Sequence, residues 1–142
     1  MKRIVFACVL LISAMQLFAL PNLIGRWQTA PMWDRFEKTV VEFNFKDSVH
    51  FDTRVTVDNT DFSEGECSTV SISGTYQLRD SLCILTADTS TFVASPAHGF
   101  GCDISEASGD DVFIIWPSRN SEDVIALVDR LNREAFVFYR QK

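Results

Sequence analysis

The chain has 142 residues, 46% of them hydrophobic and 12% aromatic, with 13 Lys+Arg against 19 Asp+Glu and a formal charge of −6. That length suits one domain with a real core, and the apolar content is too high for a chain that stays disordered. The acidity argues against nucleic acid or an anionic bilayer as partner, because both need clustered Lys and Arg.

Residues 1–19 read as a secretory signal peptide. Lys2 and Arg3 precede an apolar run from Ile4 to Leu20 broken only by Ser13 and Gln16, and Pro21 ends it. Charge, apolar stretch and a small residue at the cut is the layout of an export signal. Cleavage is expected after Ala19, although Leu17 is bulky for the −3 position. An uncleaved anchor is the competing reading, since about 17 apolar residues is the lower limit for spanning a bilayer. With cleavage, residues 20–142 form one secreted or periplasmic domain with no membrane insertion. Taking Lys2 and Arg3 from the 13 basic residues leaves 11 against 19 acidic ones, a formal −8.

The rest of the chain alternates with period two, in short runs rich in Val, Ile, Thr and aromatics bounded by Asp, Ser, Gly and Asn. Asn22–Thr29 is the first predicted strand, and a short helix near Pro31–Glu37 is one candidate cover for an apolar face. Val40–Lys46 and Val49–Val57 form a hairpin around Lys46-Asp47-Ser48. That hairpin sets Phe45 opposite Val49, Phe43 opposite Phe51 and Val41 opposite Thr53, with Glu42, Asn44, His50 and Asp52 on the other face. After the acidic loop Asp58–Glu66, Thr69–Arg79 and Leu82–Ala87 pair through Arg79-Asp80-Ser81, placing Val70, Ile72, Gly74, Tyr76 and Leu78 on one face. Thr91–Ala94 and Val112–Trp116 are further strands, the latter ended by Pro117. The last pair, Val124–Val128 and Ala135–Tyr139, sets Leu127 opposite Phe136, Ile125 opposite Phe138 and Asp123 opposite Arg140. Both faces of this last hairpin are apolar, so its outer face needs a cover, from the helix or from a partner chain. Eight or nine short strands of this kind predict an all-β, antiparallel barrel or sandwich.

Export places the cysteines in an oxidising compartment. Cys67, Cys83 and Cys102 are an odd number, so at most one intrachain bridge forms. Cys67 and Cys102 both adjoin glycine-containing loop sequence and are the favoured pair. Cys83–Cys102, or three buried thiols, stay open as alternatives. No metal site is expected: there is no Cys-x-x-Cys, and His50 and His98 are far apart. Asp58, Asp61, Glu64 and Glu66 lack the spacing of a Ca²⁺ loop and read as solvated. Phosphate-binding glycine loops and Gly-x-Ser-x-Gly are missing too, so neither a cofactor nor an enzyme is expected.

Asn22-Leu23-Ile24-Gly25-Arg26-Trp27 resembles the Gly-x-Trp motif on the first strand of lipocalins and bacterial lipocalin-like proteins. Gly74-Thr75-Tyr76-Gln77-Leu78 is similar to a mid-chain strand of the bacterial members. Phe136-Val137-Phe138-Tyr139-Arg140 resembles the late strand on which lipocalins commonly carry a basic residue over the Gly-x-Trp tryptophan. The resemblance implies an up-and-down barrel of eight or nine strands. In it Gly25 allows close approach, Trp27 plugs the narrow end, and Arg140 lies on the indole face for a gain of about 0.5–2 kcal/mol. It also implies a small apolar ligand inside, contacted by Phe43, Phe45, Phe51, Tyr76, Trp116, Phe136 and Phe138. The same aromatic set can instead fill the interior with side chains, which bulky residues on nearly every strand favour, since an eight-stranded barrel is only just wide enough for that.

The expectation is therefore a secreted, non-enzymatic, lipocalin-like protein that binds a small hydrophobic molecule. The alternative is a protein-interaction module, similar in size and cysteines to bacterial metalloprotease inhibitors, acting through Leu20–Asn22 or surface loops. A META-type stress domain is a weaker resemblance, carried by the Gly-Thr-Tyr strand but lacking the family's Cys-Asn pair.

Overall fold

The computed structural model describes residues 20–34, 37–58, 67–95 and 110–142. The described elements are β-strands: β1 (Gly25–Thr29), β2 (Met32–Asp34), β3 (Glu37–Phe45), β4 (His50–Asp58), β5 (Cys67–Arg79), β6 (Leu82–Ser95), β7 (Asp110–Pro117), β8 (Val124–Asp129) and β9 (Ala135–Arg140). Each strand pairs antiparallel with its neighbour in sequence from β2 to β9, and β1 pairs with both β9 and β3. The ring thus closes as an eight-stranded up-and-down barrel with β2 as an extra strand.

β1 and β2 are two pieces of one strand lying along β3. β1 matches Gly25 with Phe45 through Gln28 with Glu42, and β2 resumes at Met32 opposite Thr39. The break falls at Ala30-Pro31, where proline has no N–H for a ladder. The Thr29 hydroxyl oxygen covers the gap by accepting the Val41 amide at 3.1 Å. The helix expected over Pro31–Glu37 is therefore wrong in kind: Met32–Asp34 is strand, and residues 35 and 36 lie outside the described set.

Faces were easier to foresee than registers. In the β3–β4 hairpin Phe45 faces Phe51, two residues further along than the expected Val49. The cause is Asp47, whose Oδ1 accepts the Val49 and His50 amides, each at 2.7 Å, and so draws Val49 into the turn. A slip of two residues keeps every side chain on its face, so the core is unchanged. The β5–β6 hairpin turns at Asp80-Ser81 with Asp80 at φ 54°. β6 then runs on through the Thr91–Ala94 segment as one strand with a register shift opposite Ser71 and Ser73. There the Asp88 carboxylate accepts the Ser90 amide and hydroxyl, and Thr91 Oγ1 takes the Ser73 amide at 2.8 Å. The β8–β9 pairing is as expected, with Leu127 opposite Phe136 and Ile125 opposite Phe138.

Alternation then divides the molecule. Inward positions supply a core of Leu23, Trp27, Phe43, Phe45, Phe51, Tyr76, Cys83, Leu85, Ile115, Ile125, Leu127 and Phe138. Outward on β3, β4 and β5 stand Glu42, Asn44, Asp52, Arg54, Ser71 and Ser73, cross-linked by Lys46–Asp52 at 2.9 Å and Arg54–Glu42 at 4.0 Å. Outward on β7, β8 and β9, past Asp110 at the start of β7, the residues are apolar.

Candidate functional site: the barrel interior

The base of the barrel is built from the Gly-x-Trp strand and the C-terminal arginine. Trp27 has no exposed surface, and its Nε1 donates to the Leu23 carbonyl at 2.7 Å, folding the entering chain across the barrel end. The Arg140 guanidinium lies 4.2 Å from the Trp27 ring centroid. It also donates to the Asn22 carbonyl at 2.6 Å, the Ile24 carbonyl at 2.8 Å and Asp123 Oδ1 at 3.0 Å. One cation thereby ties the first strand, the last strand and the β7–β8 loop together. Gly25 makes room for it: its φ is +125°, and a Cβ there would sit 3.3 Å from Arg140 Nη1. Arg140 is thus spent on the fold, each of its three nitrogens donating to a main-chain or side-chain oxygen at the barrel end.

Above the base the expected aromatic set comes together in large part. Phe43 stacks on Phe45 at 5.8 Å between centroids and meets Phe138 edge-on at 5.4 Å, while Phe45 meets Tyr76 edge-on at 4.9 Å. Phe51 is 6.1 Å from Phe43. These spacings are those of rings in direct contact, so this lower half is filled by its own side chains. The Tyr76 hydroxyl donates to the Asp47 carbonyl at 2.5 Å, and burial raises its pKa. Phe136 packs against this cluster but stays half-buried. Trp116 does not belong to it. Ile115 faces Leu127 inside, so Trp116 points outward and is 66% exposed.

The upper half, away from Trp27, is constructed differently. Among the described residues β7 and β6 pair up to Thr86–Asp110, where the described part of β7 begins, while β5 and β6 pair on to Thr69–Ser95 and β3 with β4 to Lys38–Asp58. The described upper half is therefore a curved wall of β2–β6. On its inner face Val41 pairs with Val55, Val55 with Val70, Thr39 with Val57 and Thr53 with Ile72. These side chains, five aliphatic and two threonines, are all half-buried, in contrast to the rings below them. At the lip on the β7 side, Asp111 is turned toward Leu85, and burial with Asp129 and Asp110 nearby raises its pKa.

Gly74 marks where the lower and upper halves meet. A Cβ there would fall 2.1 Å from the Thr86 carbonyl oxygen and 2.9 Å from the Phe51 ring, so only glycine lets β5 and β6 close over Phe51. Cys83 is fully buried and unpaired, and burial pushes its thiol up to about 12. That removes it from the alternative bridge with Cys102. The favoured Cys67–Cys102 bridge falls outside the described side chains, as do Cys102 itself and the segment assigned to the export signal. Among the described residues no group of His, Cys, Asp and Glu could hold a metal ion, and no helix is long and apolar enough to cross a membrane.

A second concavity went unforeseen. It is an open groove of about 500 Å³ on the outer face, lined by Arg26, Glu42, Asn44, Asp52, Arg54 and Ser73 among others. Its charges are largely paired with one another, Arg26 reaching Glu42 at 3.5 Å. The polar alternation along β3 and β4 was the sequence signal for it. No protein-family profile matches this chain, and no curated protein matches its sequence.

Proposed function

We propose that the chain is an exported, non-enzymatic, lipocalin-like protein that takes one small apolar molecule against the inner wall of the upper half of its barrel. The observation that carries this reading is the contrast between the two halves. The base is packed ring against ring, while Val41, Val55, Val57, Val70 and Ile72 present aliphatic surface that the described fold leaves half-buried. An apolar lining over a rigid floor is what a small-molecule pocket needs. The lipocalin-like assignment rests on the closed eight-stranded ring together with the Gly25, Trp27 and Arg140 clasp. The inhibitor-like alternative would act through Leu20–Asn22. In this structure Leu20 packs on the core and the Asn22 carbonyl accepts Arg140, so that segment is fastened down rather than presented.

Displacement of a fluorescent fatty-acid analogue tests the proposal. The expected result is stoichiometric binding that Val55→Trp and Ile72→Trp, which fill the inner wall, weaken at least tenfold while Trp116→Ser leaves it intact. Binding that follows Trp116 instead, or no binding at all, overturns it. Export is checked separately, by N-terminal sequencing of the protein from the culture fluid or periplasm, with a mature start at Leu20 expected.

A further inference from the structure

Among the described residues, the outer face of β7, β8 and β9 has no apolar counterpart elsewhere on the barrel. Ile114, Val128 and Ala135 form one cross-strand row, Trp116, Ala126 and Val137 the next, and Val124 with Tyr139 a third. Trp116, Tyr139 and Val137 are 66%, 45% and 44% exposed. Along these rows no charged side chain points outward, whereas the outer face of β3 and β4 carries Glu42, Asp52 and Arg54. A sheet apolar on both faces is the pattern of strands covered on both sides.

We propose that this face is where a second copy of the chain docks, so that two barrels associate back to back through β7, β8 and β9. Size is the first argument. With strands about 4.8 Å apart and outward residues about 6.8 Å apart along each, the rows extended by Leu82 and Ile84 of β6 cover about 330 Å². That is within the range of the largest patches single proteins expose, which are often functional. It is also the right size for the apolar core of a standard interface of about 800 Å² per partner, with polar loop ends as rim.

Shape is the second argument. Trp116 stands beside Ala126 in its own row, and Ala135 ends the row above, so the exposed indole has small residues next to it. Across a two-fold axis the indole of one copy falls over the small residues of the other, and both copies gain the same contact. Flat sheets packing face to face about 10 Å apart need an equally apolar sheet opposite, which this chain itself supplies.

Sedimentation equilibrium of the protein as processed by its expression host decides the matter, and needs no ligand. The expected result is twice the monomer mass at tens of micromolar. Trp116→Glu and Val137→Lys should each weaken association at least a hundredfold with an unchanged near-native circular dichroism spectrum. Arg54→Glu, on the opposite face, should leave it unaltered. If one face variant fails to fold, the other carries the test. A monomer at 100 µM overturns the proposal, with or without binding to phosphatidylcholine vesicles. So does a dimer that persists in both face variants. Neither result bears on ligand binding to the inner wall.

Discussion

Replacing Arg140 with Ala removes several interactions at once, and their sum can be worked from the geometry. The cation over Trp27 at 4.2 Å contributes about 1 kcal/mol. The hydrogen bonds to the Asn22 and Ile24 carbonyls contribute about 1 kcal/mol each, no more, because both carbonyls can turn to water once the arginine is gone. The Asp123 pair adds under about 1 kcal/mol, its carboxylate being largely exposed. The loss is therefore about 3 kcal/mol. With a urea slope of about 1.5 kcal/mol/M, the unfolding midpoint should fall by about 2 M. Arg140→Lys keeps the charge but not the planar fork that serves separate acceptors, so it should recover only about a third of the loss. Urea unfolding followed by circular dichroism reads both variants. A midpoint change under about 0.3 M for Arg140→Ala, or full recovery by lysine, would refute the idea that this guanidinium clasps the barrel shut.

Other substitutions probe the packing above that clasp. Gly74→Ala puts a methyl into the Thr86 carbonyl, so β5 and β6 must separate, and a loss of about 3 kcal/mol is expected in the same assay. A cost below about 1 kcal/mol would mean the strands are further apart than described. Phe45→Ala empties the centre of the ring cluster and should cost about 3–5 kcal/mol. Cys83, with its thiol held up to about 12, should resist iodoacetamide at pH 8 until the protein unfolds, as peptide mass spectrometry would show. Asp47 is held at about 2, chiefly by its side-chain bond to His50, with the His50 and Val49 amides adding to the effect. Because its folded value lies below the ordinary 3.8, the turn's stabilisation is complete above that pH and is lost as pH falls from about 3.8 toward 2. A carboxyl-carbon NMR titration should show a midpoint near 2; one near 3.8 would contradict the turn geometry.

How far the fold was legible in the sequence depended on whether a strand's two faces differ. β3 and β4 alternate cleanly, so Phe43, Phe45 and Phe51 could be placed inside and Glu42 and Asp52 outside. Their register slipped by two because the Asp47 turn draws on a side-chain oxygen, which periodicity does not report. β7 reads Val112-Phe113-Ile114-Ile115-Trp116, apolar throughout, and carries no phase. Only its pairing with Leu127 shows that Ile115 is buried and Trp116 is not. That lack of phase explains both the misplacement of Trp116 and the missed extent of the outer apolar face, of which the final hairpin had shown only part. Arg140 over Trp27 was legible through resemblance, since 113 residues of chain separate the partners and no local pattern joins them. The division into a packed base and a half-filled upper wall was not legible. It shows in which inward residues are rings in mutual contact and which are half-buried aliphatics, and period two reports only the face, not how well it is filled.

The proposed ligand site is the inner wall above Phe43. Methyl NMR of the Val/Ile-labelled protein, titrated with a medium-chain fatty acid, addresses it most directly. Saturable shifts confined to the methyls of Val41, Val55, Val57, Val70 and Ile72 are the predicted result. No shifts, or shifts confined to Val124, Val128 and Val137 on the outer face, would contradict it.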